Sequence, residues 1–400
     1  MLIFWLWLQL LENLTPAQKH ALLEYFHDPE QIYRAKESAY RAVPSLTEEG
    51  YAALADKDLI KARALAEECS QKRIGIVAFG DSNYPSRLKQ ISDAPLVLYY
   101  RGRLPNWEAQ PAVGVVGTRK ASTYGLQVAE KMGAQIAACG GMVVSGCATG
   151  IDGVAMEHAL LQDGFVVGVL GFGVDMVYPA SNRALFATVE EKGCLISEYP
   201  PGTPGHRWNF PRRNRIISGI SHGVLVVEAP EQSGALITAH HAMEQGREVF
   251  VVPGNIDSAS AAGSNNLLRE GATAVFEGYD ILREYESRFP GKIRRAEPKS
   301  ILKQTPKIPE KETPVPTKPL KKPIDNGDIT QYSVLNSGRP SLTEEEKALL
   351  SHLTGKTESA DEVIARSGMP ASKAMSILTK LSLKGYVKQH PGKCVSLNTK

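Results

Sequence analysis

The chain has 400 residues, 42% of them apolar, and a formal charge of +3. That length holds two or three domains with a sizeable core, and the composition is ordinary for a globular protein. The net charge is too small to name a partner, which leaves local patches to decide.

Five cysteines (Cys69, Cys139, Cys147, Cys194 and Cys394) are scattered, odd in number and without a CxxC pair. A reduced, cytoplasmic protein is the simplest account. The apolar residues 1–11 are far fewer than a membrane span needs. They also lack the basic flank and small-residue cleavage site of a signal peptide. They read as a buried first helix, with no membrane role. Residues 1–72 continue as helices. Thr15-Pro16 is a cap followed by proline at the first helical position, Asp28-Pro29 starts another helix, and Ser45 to Glu49 another. This stretch resembles a small SAM or helix-hairpin-helix module. The turn at residues 12–16 lacks the glycine with which such hairpins grip a phosphate backbone, so a docking or structural role is expected.

Residues 73–288 alternate strand and helix. Apolar, β-branched runs at 74–79, 96–100, 113–117, 142–145, 165–170, 195–197, 224–228, 248–252 and 274–276 read as strands, with helical patterns between most of them. The expected fold class is α/β, a mostly parallel sheet with helices on both faces, whose ligands bind beyond the carboxyl ends of the strands. Residues 289–340 are rich in proline and lysine and have few large apolar residues, which describes a basic, extended linker. It serves as a tether or adds non-specific attraction to nucleic acid. Residues 341–400 read as a winged helix: a capped helix at 341, a second at 359–366, a third at 371–384, then a two-stranded wing. Its third helix carries Ser372, Lys373, Ser376, Thr379 and Lys380, which suits either DNA or a protein partner.

The chemistry gathers in the loops after the strands. The loop that follows Val116 runs Gly117, Thr118, Arg119, Lys120, Ala121, Ser122, Thr123, Tyr124, Gly125. A strand, a small-residue turn and a helix N-terminus together make an anion site, although an ordinary turn with solvated cations has the same residues. Ser145, Gly146, Gly150 and Asp152 follow the next strand, Gly171 and Gly173 the one after. An arm then carries Trp208, Phe210, Arg212, Arg213, Asn214 and Arg215, and later come Glu228, Ser233 and Gly234. Glycines admit a ligand to the backbone, arginines suit phosphate oxygens, and rings stack on bases. These are parts for single-stranded nucleic acid, and a nucleotide cofactor would use some of them too. Asp152 would brace its turn, and Glu228 would hold Arg213 or Arg215.

Several enzyme classes lack their parts. Gly171-Phe172-Gly173 has no third glycine for a dinucleotide fingerprint, and there is no Walker lysine loop. The adjacent His240 and His241 diverge on a helix, and no spacing supports a metal. Cys147 reads as a small filler in its turn.

Taken together, Gly117-x-Arg119-x-x-Ser122-x-Tyr124-Gly125, Ser145-Gly146-x-Ala148-x-Gly150-Ile151-Asp152, Gly171-x-Gly173 with Tyr178-Pro179, Phe210-Pro211-x-Arg213-Asn214-Arg215-Ile216-Ile217-x-Gly219, Glu228-Ala229 with Ser233-Gly234-x-x-x-Thr238, and Pro253-Gly254 resemble the DNA-processing protein A (DprA/Smf) family. The resemblance spans 73–288 with the motifs in order, and the helical front and winged tail look like the longer members. It implies an extended Rossmann-like domain that binds single-stranded DNA without sequence preference. It also implies a homodimer that helps load RecA recombinase during natural transformation, with no catalysis and no cofactor. Arg119 and Ser122 would then hold a phosphate in a loop shaped by Gly117, Tyr124 and Gly125. Arg213, Asn214 and Arg215 would lie along the strand, and Phe210 would stack a base. The role of Arg212, a variable position of the motif, is inferred from its neighbours. An alternative resemblance in outline, to nucleotide-monophosphate phosphoribohydrolases, would make Glu228 an acid. That family's Gly-Gly-x-Gly-Thr run is replaced here by Ala229-Pro230-Glu231-Gln232-Ser233-Gly234.

Overall fold

A computed structural model of the chain describes residues 1–299 and, further on, 342–353, 357–369, 373–374, 377–378, 381–382, 386–390 and 394–397. The expected linker beyond 299 and the side chains of Ser372, Ser376, Thr379 and Lys380 lie outside the described residues. The chain divides into two compact units, Met1–Lys307 and Ile308–Lys400.

The first unit opens with six helices: α1 (Leu2–Leu10), α2 (Pro16–Phe26), α3 (Pro29–Arg34), α4 (Glu37–Tyr40), α5 (Glu48–Ala55) and α6 (Ile60–Gln71). Helix α1 is apolar on nearly every side because Trp5, Leu6, Trp7 and Leu8 are all buried. Thr15 and Gln18 form a reciprocal capping box at the start of α2, with Pro16 at the first position. Asp28 caps α3 through the Glu30 N–H. The helices have no separate core: Trp5, Leu6 and Leu22 belong to one buried cluster with Val113, Val115 and Val143 of the sheet.

Nine strands follow: β1 (Gly75–Ala78), β2 (Val97–Gly102), β3 (Ala112–Val116), β4 (Met142–Ser145), β5 (Val166–Leu170), β6 (Cys194–Ser197), β7 (Gly223–Val226), β8 (Glu248–Val251) and β9 (Thr273–Ala274). They form one sheet in the order β1-β2-β6-β5-β4-β3-β7-β8-β9. Pairing is parallel from β6 to β9 and antiparallel for β1–β2 and β2–β6. All nine sequence-predicted strands are present. Strands β3 to β7 are buried along their whole length, as parallel strands covered on both faces must be.

The intervening helices are α7 (Thr123–Ala138), α8 (Ile151–Leu161), α9 (Arg183–Lys192), α10 (Asn209–Ile220), α11 (Gly234–Glu244), α12 (Ala262–Arg269) and α13 (Gly278–Leu282). Met132 and Ile136 of α7, Met156 of α8 and Phe186 of α9 share the cluster that holds the front helices. Ile216, Ile217 and Ile220 of α10 and Ala235, Ala239 and Ala242 of α11 form a second cluster with Val224 and Val249 of the sheet. Strand β3 is the topological switch point: β4, β5 and β6 extend the sheet to one side of it, β7, β8 and β9 to the other. The crevice at the carboxyl ends of β3 and β7 is where such a sheet offers a ligand site.

The arm expected around residues 206–215 is largely helix α10. From Asn209 the chain is helical, so Phe210 to Arg215 occupy the first two turns of α10. Pro211 fits there because the first-turn N–H groups of a helix have no partner to lose.

The second unit contains α14 (Glu344–Leu350) and α15 (Ala360–Ser367) with β10 (Glu358–Ser359), β11 (Val387–His390) and β12 (Cys394–Leu397) in the antiparallel order β10-β12-β11. Thr343 and Glu346 make the capping box of α14. Leu349, Val363, Ala374, Leu378 and Leu381 fill its own core.

Candidate nucleic-acid interface

A cleft of about 770 Å³ opens at the switch point. Its floor is the β3 loop. A Cβ on Gly117 would stand 2.5 Å from Ile151 Cγ1, so only glycine lets α8 approach this closely. Ser122 caps α7 by accepting from the Gly125 N–H at 3.0 Å. Glu228, at the end of β7, accepts from the Ser122 N–H at 2.8 Å, the Ser122 hydroxyl at 2.7 Å and the Ser260 hydroxyl at 2.6 Å. A Cβ on Gly125 would strike Glu228 Oε2 at 2.3 Å. The buried carboxylate thus locks three loops together. It does not hold Arg213 or Arg215, the role the sequence suggested, because its oxygens are taken by the Ser122 N–H and the Ser122 and Ser260 hydroxyls.

Arg119 rises from this floor. It is exposed, and its guanidinium carbon sits 5.2 Å from the centre of the Phe210 ring. Tyr178 lies beside the same ring at 5.7 Å. Lys120 and Arg207 also line the cleft and are exposed. Among the described residues none of these three cations has an ion-pair partner. Outside the rim, His206 and Trp208 stack with ring centres 4.6 Å apart, and Trp208 is 64% exposed. On the far wall, Ser233 caps α11 and Gly234 presents open backbone with no neighbour within 4 Å of a Cβ.

The cations of α10 divide sharply. Arg212 faces solvent without a partner among the described residues. Arg213 is 4% exposed and donates to the carbonyls of Gly146, at 2.9 Å, and Val169. Burial lowers its pKa, opposed by the nearby Asp152 carboxylate. Burial likewise raises the pKa of Asp152, which the Arg213 guanidinium and the Gly146 N–H counter. Arg215 is 3% exposed and pairs with Asp93 at 2.6 Å and Glu198 at 2.7 Å. Burial works against its charge, and these two carboxylates outweigh that, so its pKa is raised. Asn214 donates to the Gly234 carbonyl at 3.1 Å, tying α10 to the start of α11.

Of the sequence-predicted residues, Gly117, Arg119, Asp152, Phe210, Arg213, Asn214, Ser233 and Gly234 meet in the cleft. Ser122, Gly125 and Glu228 lie beneath it. Tyr124 stands apart, exposed, with its hydroxyl donating to the Pro253 carbonyl at 3.2 Å. Gly171 leaves room for Phe210, whose ring would lie 3.1 Å from a Cβ there, and Gly173 holds the 200–205 loop through the Thr203 carbonyl. Ser145 donates to the Val115 carbonyl, and Gly150 turns with φ +78 against the Thr118 carbonyl. Arg207, Lys120 and Tyr178 had no assigned role from sequence. For Arg207 and Lys120 the signal was a cation in a loop that follows a strand, and for Tyr178 it was the Tyr178-Pro179 motif.

Residues 75–286 match the family described as DNA recombination-mediator protein A, and residues 336–393 match the DprA winged helix domain. The chain is 33% identical to Protein Smf of Synechocystis sp. over 407 residues, covering 97% of each. It is 39% identical to DNA processing protein DprA of Bacillus subtilis over 246 residues, which span 58% of this chain and 83% of that one. The X-ray structure of DNA processing protein A from Streptococcus pneumoniae superposes with a TM-score of 0.61 at 33% identity, covering 70% of this chain and 96% of the other.

Proposed function

Since the chain belongs to the DNA recombination-mediator protein A (DprA/Smf) family, we propose that it binds single-stranded DNA in the switch-point cleft, without catalysis, and passes it to RecA recombinase as a homodimer during natural transformation. The observation that carries the reading is the set of surface cations with no ion-pair partner among the described residues, Arg119, Lys120 and Arg207 in the cleft and Arg212 in the opening next to it, together with the exposed rings of Tyr178 and Trp208. Guanidinium and ammonium groups without partners neutralise phosphates, and ring faces accept any base. The Asn214 side-chain amide already donates to the Gly234 carbonyl. Binding through phosphates and ring faces is indifferent to sequence.

In this account Arg119 holds a phosphate above Phe210. Arg213 and Arg215 hold α10 in place, and the strand does not touch them. Ser122 shapes the loop as a cap. Three donors converge on Glu228, which gives it a bracing role and no part as an acid. The test is a fluorescence-anisotropy titration of Arg119→Ala against homopolymer and mixed oligonucleotides. Equal weakening on all of them supports a phosphate contact. Loss confined to one sequence would refute it.

A further inference from the structure

We propose that the seam between the front helices and the sheet is a second binding segment for the same single strand, taking a phosphodiester beyond the switch-point cleft. This rests on the reading of that cleft given above. An opening of about 510 Å³ lies between the turn that joins α1 to α2 and the loop after β6. Arg212 lines it, and the preceding residue, Pro211, lines the switch-point cleft. The two openings therefore adjoin at a single step of the chain, with an exposed, unpaired guanidinium at the threshold.

Across the seam stands Lys19. Its ammonium donates to the Gln9 carbonyl at 2.8 Å, which leaves two of its three N–H groups for a ligand. Burial pushes its pKa down to about 8, Glu198 opposes this and Arg212 adds to it. Two like charges thus face one opening, and an anion between them relieves their repulsion. Glu198 also lines the opening, with one oxygen held by Arg215 at 2.7 Å, and Glu12 is exposed on the lip, so the anion sought is one that bridges Lys19 and Arg212 on the solvent side. The amino end of the eleven-residue α2, with its Thr15 cap in the wall, adds positive potential. The front helices then lengthen the strand's track without the glycine turn of a helix-hairpin-helix.

The experiment measures binding of the full chain to fluorescein-labelled oligothymidylates of about 6 and about 20 nucleotides, which bracket common single-strand site sizes. Two variants are compared with the native chain. Glu12→Lys adds a cation to the lip and is expected to tighten the long strand about threefold, with the short one unchanged. Lys19→Gln is expected to weaken the long strand by about the same factor and leave the short one alone. Lys19 also pins α2 to α1, so its thermal melting is followed. If that variant unfolds, the exposed Glu12→Lys decides. Equal shifts at both lengths, or none in either variant, overturn the seam. A native chain that binds neither length at low salt removes the reading of the cleft itself, whereas one that binds both while the variants stay silent removes only the seam.

Discussion

Among the described residues, Arg119 and Arg207 stand on loops at the rim of the cleft without ion-pair partners, while Arg213 and Arg215, on α10 beside it, are almost wholly buried and held by partners within the protein. The four carry the same charge within one site. Arg213 and Arg215 bind the protein's own carbonyls and carboxylates, at Gly146, Val169, Asp93 and Glu198. The rim pair has only a ring beneath one member and water beyond. The comparison teaches that a motif rich in arginine contains two trades. The buried pair sets the position of α10, and the rim pair is left to meet a polyanion.

The difference can be broken from either side. The largest effect belongs to Arg213→Ala, which leaves the buried Gly146 and Val169 carbonyls without their donor and takes a nearby cation from the buried Asp152 carboxylate. Chemical denaturation should show a loss of about 3–5 kcal/mol, since each buried acceptor left without a donor costs about 1–3 kcal/mol. A loss below about 1 kcal/mol, with weakened DNA binding, would move Arg213 into the rim class.

The amino edge of the sheet offers a buried group of a third kind, kept neutral without a counter-charge. His222 is 2% exposed, and burial, then Arg87 and Arg288, push its pKa down to about 3. Its folded value lies below the unfolded one, near 6.5, so the unfolded chain binds more protons between the two. Stability should therefore fall as pH drops from about 6.5 towards 3, by on the order of 3 kcal/mol between pH 7 and pH 4 from this group. Denaturation of His222→Gln across the same range should be flatter by that amount. An unchanged slope would show that the imidazole is not the responsible group.

Smaller effects are expected at the rim. Arg119→Ala should cost about 1–2 kcal/mol of binding and leave the melting temperature unchanged, since the residue is exposed and its side chain makes no hydrogen bond among the described residues. Ser122→Ala should cost about 1 kcal/mol of stability through the lost α7 cap, with a change in DNA affinity only as the loop loosens. A large affinity loss at unchanged stability would make Ser122 a direct ligand.

The sheet was legible because its parallel strands are runs of valine, isoleucine and leucine bounded by small residues, such as 113–117 and 142–145. The loops at its carboxyl edge followed from that assignment, and Arg119 and Phe210 with them. Helix α10 was hidden by the density of Pro200, Pro201, Pro204 and Pro211. The last of these is compatible with a helix only because it falls in the first turn. The burial of Arg213 was not legible, because its partners are main-chain carbonyls at Gly146 and Val169, which no residue pattern announces. Nor was the tie between Glu228 and Ser122, which lie 106 residues apart. Their proximity is a product of β3 pairing with β7.

The central claim is that unpaired rim cations hold the phosphates of a single strand. It is tested most directly by the salt dependence of binding of the full chain to an unstructured oligonucleotide. With about four phosphates neutralised by Arg119, Lys120, Arg207 and Arg212, the log–log slope should be roughly −3, and Arg119→Ala should bring it to roughly −2. A slope that stays the same in Arg119→Ala, or shifts instead in a folded Arg213→Lys variant, would contradict the account.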